Sequence, residues 1–279
     1  MLGFFDSGLG GLTILKETIR LMPNYSYIYL GDNARTPYGS HSQDVIYKFT
    51  SQGVARLFDE GARLIILACN TSSSVALRRL QMEFLPEYYP DKRILGVIIP
   101  TAEEAVKMTN SKEIGVLATE ATVHSFVYPR EITKLDSEIK VHQQACPLLV
   151  PIIEAGELEW EGLDLIIKKY VNQLFCAQGA SASGGERSSA IDTLILGCTH
   201  YELISDIIKK HVPDSVKIFN QARVVAEKLK NYLERHTEIS ERLGKGGKRD
   251  FLSTEDSWRV KDLFRKFYGE KINPRKVSL

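Results

Sequence analysis

The 279-residue chain has little of what would mark a secreted, membrane-bound or nucleic-acid-binding protein. It carries only four cysteines and no CxxC pair, too sparse for a disulfide framework or a zinc ribbon, so free thiols in a reducing compartment are expected. Charge of one sign is not in excess. Lys plus Arg number 36 against 35 Asp plus Glu, a net +1, and no global field recruits nucleic acid or anionic lipid. The longest apolar runs, such as Leu64 to Cys69, fall far short of the roughly 20 residues a membrane helix needs. The first residues, Met-Leu-Gly-Phe-Phe-Asp, lack a basic leader and a small-residue cleavage site and read as a buried strand. A cytoplasmic protein with no membrane or nucleic-acid partner is expected.

What is present is an alternation of short apolar runs with helical patterns, which predicts an α/β protein built on parallel sheets. Strands are predicted at Leu2 to Phe5, Ser26 to Leu30, Leu64 to Ala68, Ile94 to Ile98, Ile114 to Leu117, Ile139 to Gln143, Thr193 to Leu196 and Val216 to Phe219. Helices are predicted at Leu12 to Leu21, Asp44 to Glu60, Val75 to Phe84, Ala102 to Met108, Leu163 to Phe175, Leu203 to His211 and Ala222 to Glu234. A weak internal echo runs through this order. Leu2 to Ser7 resembles Ile114 to Thr119, Asn33 to Pro37 faces Gln143 to Pro147, and Leu64 to Thr71 (LIILACNT) matches Thr193 to His200 (TLILGCTH). Three pairs in one order predict two related halves. The Gly/Ser-rich stretch 178–189 and the basic run Lys245 to Arg249 read as exposed loops.

Ligands of open parallel sheets sit beyond the carboxyl ends of the strands, and Cys69 and Cys198 both stand there. A thiol at that edge lies near the next helix N-terminus, where the dipole and amide donors are expected to lower its pKa. One such cysteine could be a small core residue, whereas two at equivalent positions point to one cleft. Two thiols on opposite faces of a substrate suit inversion at a Cα: a thiolate takes the proton from one face while a thiol delivers one to the other. No cofactor is required for that stereochemistry, and fixed donors in a dry cavity would stabilise the carbanionic transition state.

Asp6-Ser7-Gly8-Leu9-Gly10-Gly11 follows the first strand and opens a helix, yet lacks the Gly-Lys-Ser/Thr ending of a phosphate loop. Asp6 would bind a substrate ammonium or orient a thiol. In Gly31 to Ser40, Asp32 and Arg35 are expected to pair locally, leaving Tyr38 and Gly39 to donate to a ligand. His200 could relay the Cys198 proton, and Glu154, placed after a strand of the second half, could partner it. Cys146 and Cys176 read as structural. Zinc held by Cys69, Cys198 and His200 is a competing reading without supporting spacing. A thiol hydrolase using His200 as base, and a non-catalytic binding protein, also stay open.

Five segments carry a family resemblance: Phe5 to Thr13 (FDSGLGGLT), Gly31 to Gly39 (GDNARTPYG), Ala68 to Thr71 (ACNT), Ala145 to Pro151 (ACPLLVP) and Leu196 to Tyr201 (LGCTHY). Together, in this order, they resemble the glutamate racemases of the aspartate/glutamate racemase family. The resemblance implies two similar α/β domains, residues 1–98 plus 214–279 and residues 99–213, with the active site between them. It implies cofactor-independent, metal-free interconversion of L- and D-glutamate for peptidoglycan synthesis, and a homodimer. By the same likeness Cys69 takes the α-proton from the D enantiomer and Cys198 from the L enantiomer, with Asp6, Glu154 and His200 as auxiliary acid/base groups. Asp6, Ser7, Pro37, Tyr38, Gly39, Asn70, Thr71, Thr119, Thr199 and His200 fall on its substrate-contacting positions. The chain departs from the family pattern at Pro100-Thr101-Ala102, commonly Pro-Gly-Ala, and at Asn220-Gln221-Ala222, where Asp-Ser is usual. A relative acting on aspartate or another amino acid is the nearest alternative.

Overall fold

A computed structural model describes residues 1–176 and 190–279. In chain order the elements are β1 (Leu2–Asp6), α1 (Leu12–Leu21), β2 (Tyr27–Gly31), α2 (Gln43–Asp59), β3 (Leu64–Leu67), α3 (Asn70–Val75), α4 (Leu77–Arg79), α5 (Leu85–Tyr88), β4 (Arg93–Gly96) and α6 (Ile98–Met108). There follow β5 (Glu113–Ala118), α7 (Glu120–His124), α8 (Val127–Leu135), β6 (Lys140–Ala145), α9 (Leu149–Glu154), α10 (Glu161–Cys176), β7 (Thr193–Gly197) and α11 (Ser205–His211). The chain closes with β8 (Lys217–Ile218), α12 (Gln221–Arg235), α13 (Thr237–Ser240), β9 (Arg249–Ser253), α14 (Trp258–Tyr268) and β10 (Arg275–Lys276).

Two parallel sheets result, one of six strands ordered β10-β9-β2-β1-β3-β4 and one of four ordered β6-β5-β7-β8. The order β2-β1-β3-β4 is repeated as β6-β5-β7-β8, so the sequence echo marks equivalent strands. β1, β2, β3 and β7 are buried along their whole length, as strands covered on both faces by helices must be. Helices α1 and α12 pack on each other, and one apolar cluster runs from Leu12 and Leu15 to Val225 and Leu229.

Several elements differ from the sequence reading. Val97 and Ile98 leave the predicted fourth strand and start α6, and the region 75–88 breaks into α4, a π-helical turn at Leu80–Phe84 and α5. Arg249, placed in the basic loop, opens β9 and donates from its guanidinium to the carbonyls of Tyr25 and Pro23. β8 pairs with β7, so the second sheet extends past residue 213. The Gly/Ser-rich stretch 178–189 lies outside the described residues. Among the described residues no helix is long and apolar enough to cross a membrane.

Candidate active site

Register decides where the chemistry sits. In the first sheet Phe5 pairs with Leu67 and Asp6 with Gly31, so Asp6-Ser7, Asp32 and Ala68-Cys69 leave the strands at one edge. In the second, Ala118 pairs with both Ala145 and Gly197, which aligns Thr119, Cys146 and Cys198 at the corresponding edge. The two edges meet. Thr199 Oγ1 donates to Asp6 Oδ2 at 3.2 Å, and the hydroxyls of Thr71 and Thr119 lie 2.9 Å apart.

Glycine makes the approach possible. A Cβ on Gly8 would stand 2.5 Å from Glu154 Oε1, and one on Gly10 would stand 2.3 Å from Thr199 Oγ1. A side chain at Gly10 would press on the Thr199 Cβ and the His200 backbone and force the edges apart, whereas one at Gly8 would displace the carboxylate end of Glu154.

Between the edges lies a narrow cavity of about 60 Å³. Its walls come from Ser7, Pro37, Tyr38, Gly39, Cys69, Asn70 and Thr71 on one side and Thr119, Cys198, Thr199 and His200 on the other. Both candidate thiols therefore face one space. Ser40, Glu120, Cys146, Pro147, Val150 and Pro151 complete the lining. Cys146, read as structural, thus reaches the cavity wall. The internal echo aligns it with the Pro37 loop, which is the signal in the sequence that could have found it. Glu120 follows Thr119, whose hydroxyl caps α7 by accepting from the Thr122 amide at 3.3 Å.

Cys69 caps α3: its Sγ accepts from the Ser72 amide at 3.4 Å and lies 3.2 Å from Ser7 Oγ. The expected depression of its pKa does not follow. Burial pushes the thiol up and the Asp6 charge adds to it, against the donors from Ser7 and Ser72. A six-residue helix offers one amide here, too little to offset desolvation of a residue only 5% exposed. Cys69 is thereby held as a protonated thiol.

Cys198 has different company. Its Sγ lies 3.9 Å from His200 Nδ1, and His200 Nε2 lies 2.6 Å from Glu154 Oε1. Burial works to lower the imidazole, but contact with Cys198 and Glu154 outweighs it and raises the ring well above its ordinary value. The line Cys198–His200–Glu154 has the connectivity of a proton relay. Glu154 reaches His200 from the end of α9, and not from the strand exit that the sequence predicts.

Asp6 and Glu154 stand behind the cavity lining. Asp6 is fully buried, its Oδ1 accepting from the Gly8 amide at 2.7 Å, and burial raises its carboxyl above the usual range against the pull of His200. Tyr38 lines the cavity, but its hydroxyl donates to Asp32, which also pairs with Arg35 at 2.6 Å. Its phenol is therefore committed within the protein and not to a ligand. Cys176 is exposed at the end of α10. Among the described residues no group of three or more His, Cys, Asp or Glu side chains is arranged to hold a metal ion.

Residues 13–229 match the sequence profile of the Asp/Glu/Hydantoin racemases. A glutamate racemase from Roseobacter denitrificans is 40% identical over 280 residues, covering 97% of each chain. Among solved structures, glutamate racemase isoform RacE1 from Bacillus anthracis superposes with a TM-score of 0.85 at 31% identity, covering 100% of this chain and 97% of that one. The Francisella tularensis glutamate racemase, solved with D-glutamate, gives the same score at 30% identity over 99% and 97%.

Proposed function

This chain belongs to the Asp/Glu/Hydantoin racemase family, and we propose that it interconverts L- and D-glutamate by proton transfer between Cys69 and Cys198. The carrying observation is that both thiols line one cavity. With L-glutamate bound, the Cys198 thiolate takes the α-proton. The electron pair of that C–H bond spreads into the carboxylate, and the Cys69 thiol gives its proton to the opposite face. The reverse reaction exchanges these roles. The hand of each cysteine follows the family resemblance.

The surroundings fit this division of labour. A protonated Cys69 is the acid the L direction needs, and a His200 imidazolium held by Glu154 is the counter-ion for a Cys198 thiolate. Ser7 and Thr71 are the donors for carboxylate charge that grows as the proton leaves, while Asn70 holds the carboxylate in ground and transition states alike. Asp6 is a positioning carboxyl behind Cys69. The two sheets with their helices act as two lobes that close on the substrate, in a homodimer working in the cytoplasm to supply D-glutamate for peptidoglycan. Four unpaired cysteines suit that compartment.

Incubation in deuterium oxide tests the proposal. Wild-type protein without added cofactor should place deuterium at Cα of both glutamate enantiomers and abolish optical rotation. Aspartate should react far more slowly. No α-exchange from glutamate, or accumulation of a thioester at Cys198 as in a thiol hydrolase, would refute it.

A further inference from the structure

Behind Asn70 lies a closed polar network that the proton-transfer chemistry does not use. Asn70 Oδ1 accepts from Tyr128 Oη at 2.7 Å and from Gln221 Nε2 at 3.0 Å, while Asn70 Nδ2 donates to Gln221 Oε1 at 2.9 Å. Gln221 Nε2 also donates to Thr101 Oγ1 at 2.9 Å. Thr101 gives its only hydroxyl hydrogen to the Val97 carbonyl at 2.6 Å. All four side chains are buried, Thr101 and Tyr128 completely.

The logic of donors then runs one way. Since the Thr101 hydrogen is spent on a carbonyl, its oxygen can only accept, so the Gln221 amide must turn its nitrogen towards α6. That turn fixes Gln221 Oε1 against Asn70 Nδ2, and Asn70 Oδ1 against the Tyr128 hydroxyl. A flipped Asn70 would face donor with donor at Gln221, a costly mismatch where water is absent. Gln221 enters from the first turn of α12 and Thr101 from α6, the helices that follow the two points where the chain passes between sheets.

We propose that Gln221 is a positioning residue that acts through Asn70. By holding Oδ1 inward, it leaves the second Asn70 N–H for a carboxylate of the amino-acid substrate in the cavity that Asn70 lines. The assignment rests on the racemase reading for its ligand and on the hydrogen-bond polarity alone for the orientation.

The test uses Gln221→Met, Gln221→Glu and the double variant Thr101→Val/Gln221→Met in the full-length protein. Loss of one oriented hydrogen bond to substrate in ground and transition states alike should raise KM for both enantiomers about tenfold with kcat within twofold. In Gln221→Glu the carboxylate can accept from Asn70 but not donate, so its KM should fall back towards wild type as pH is lowered and the acid regains a donor. The double variant removes both partners and should regain thermal stability while keeping the raised KM. The side-chain amide signals of Asn70 in a nitrogen-15 spectrum should shift in Gln221→Met with or without glutamate. Unshifted Asn70 signals, KM within twofold of wild type, or KM recovering with stability in the double variant would overturn the proposal. Deuterium exchange into glutamate by the wild type tests the racemase reading separately. Were that exchange to fail, the Asn70 signals would still decide whether Gln221 sets the amide orientation.

Discussion

Glu154→Gln separates the charge of the relay from its shape. The substituted amide keeps an oxygen to accept from His200 Nε2, so the 2.6 Å contact has a neutral substitute, while the negative charge beside a ring only 3% exposed disappears. An opposite charge at this range moves a pKa by about one to three units, worth roughly 1.4 kcal/mol each. Burial, which opposes protonation of His200, is then countered by Cys198 without the help of Glu154. The ring should therefore lose its proton at least one unit lower in pH. Because the native value is raised, the imidazolium persists until pH climbs through that raised value, and the variant should part with it sooner. The alkaline limb of kcat should move towards acid by one unit or more, so that on that limb racemisation is reduced about 10-fold or more. Imidazole nitrogen-15 titration of His200 and the kcat–pH profile read the two effects independently. An unmoved titration, or a moved titration with an unmoved alkaline limb, would refute the relay.

Cys69→Ser and Cys198→Ser should each reduce racemisation by about 10²–10⁴, and the double variant should be little worse than the poorer single, because the thiols serve one transition state. Deuterium should still enter L-glutamate without inversion in Cys69→Ser and D-glutamate in Cys198→Ser, as seen by proton NMR. Gly10→Ala puts a methyl 2.3 Å from Thr199 Oγ1 and should cost about 1–3 kcal/mol in urea unfolding, with a larger loss of activity as the edges separate. Asp192 is expected to support stability above acid pH: burial would raise its pKa, but donors from Thr109, Asn110 and Ser111 outweigh it and hold it at about 2. Its contribution is present above the unfolded value near 3.9 and lost as pH falls through about 2; Asp192→Asn should remove about 1–2 kcal/mol at pH 7, discounted for solvent, and little near pH 2.

The legible part of this protein was its period-two and continuous apolar runs, since a strand buried on both faces leaves an unmistakable apolar block such as Leu64 to Cys69. β9 was missed because its partner β2 lies far away in sequence, and β10 because a polar edge strand such as Arg275–Lys276 carries no pattern. α9 was missed because Pro151 interrupts a short apolar stretch that already follows Pro147. The cysteine pair could be found because internal repetition aligned it, whereas at Cys69 the lowered thiol pKa expected of a strand-to-helix junction failed: sequence places the amide but not the desolvation that outweighs it. The departures at Thr101 and Gln221 were visible one at a time, and only the fold joins them in a hydrogen bond.

The two cysteines stand in unlike settings, Cys69 beside Asp6 and Cys198 beside His200 and Glu154, yet in the proposed mechanism they serve a reaction whose substrate and product have equal free energies. Equal energies fix the equilibrium constant at one, so kcat/KM must be the same from L- and from D-glutamate whatever the asymmetry of the walls. The asymmetry has to surface elsewhere. It appears in how the free enzyme stores its proton, because environments that push neighbouring groups apart decide which is acid and which is base. The form with a Cys69 thiol is ready for L-glutamate, and turnover from D-glutamate must begin from the opposite protonation state. At saturating substrate and high pH, kcat and KM should therefore diverge between enantiomers while their ratio stays common. Glu154→Gln should shrink that divergence, since it weakens the cation that separates the two states. Separate kcat and KM values that coincide for both enantiomers at every pH would show that the unlike walls have no part in holding the proton.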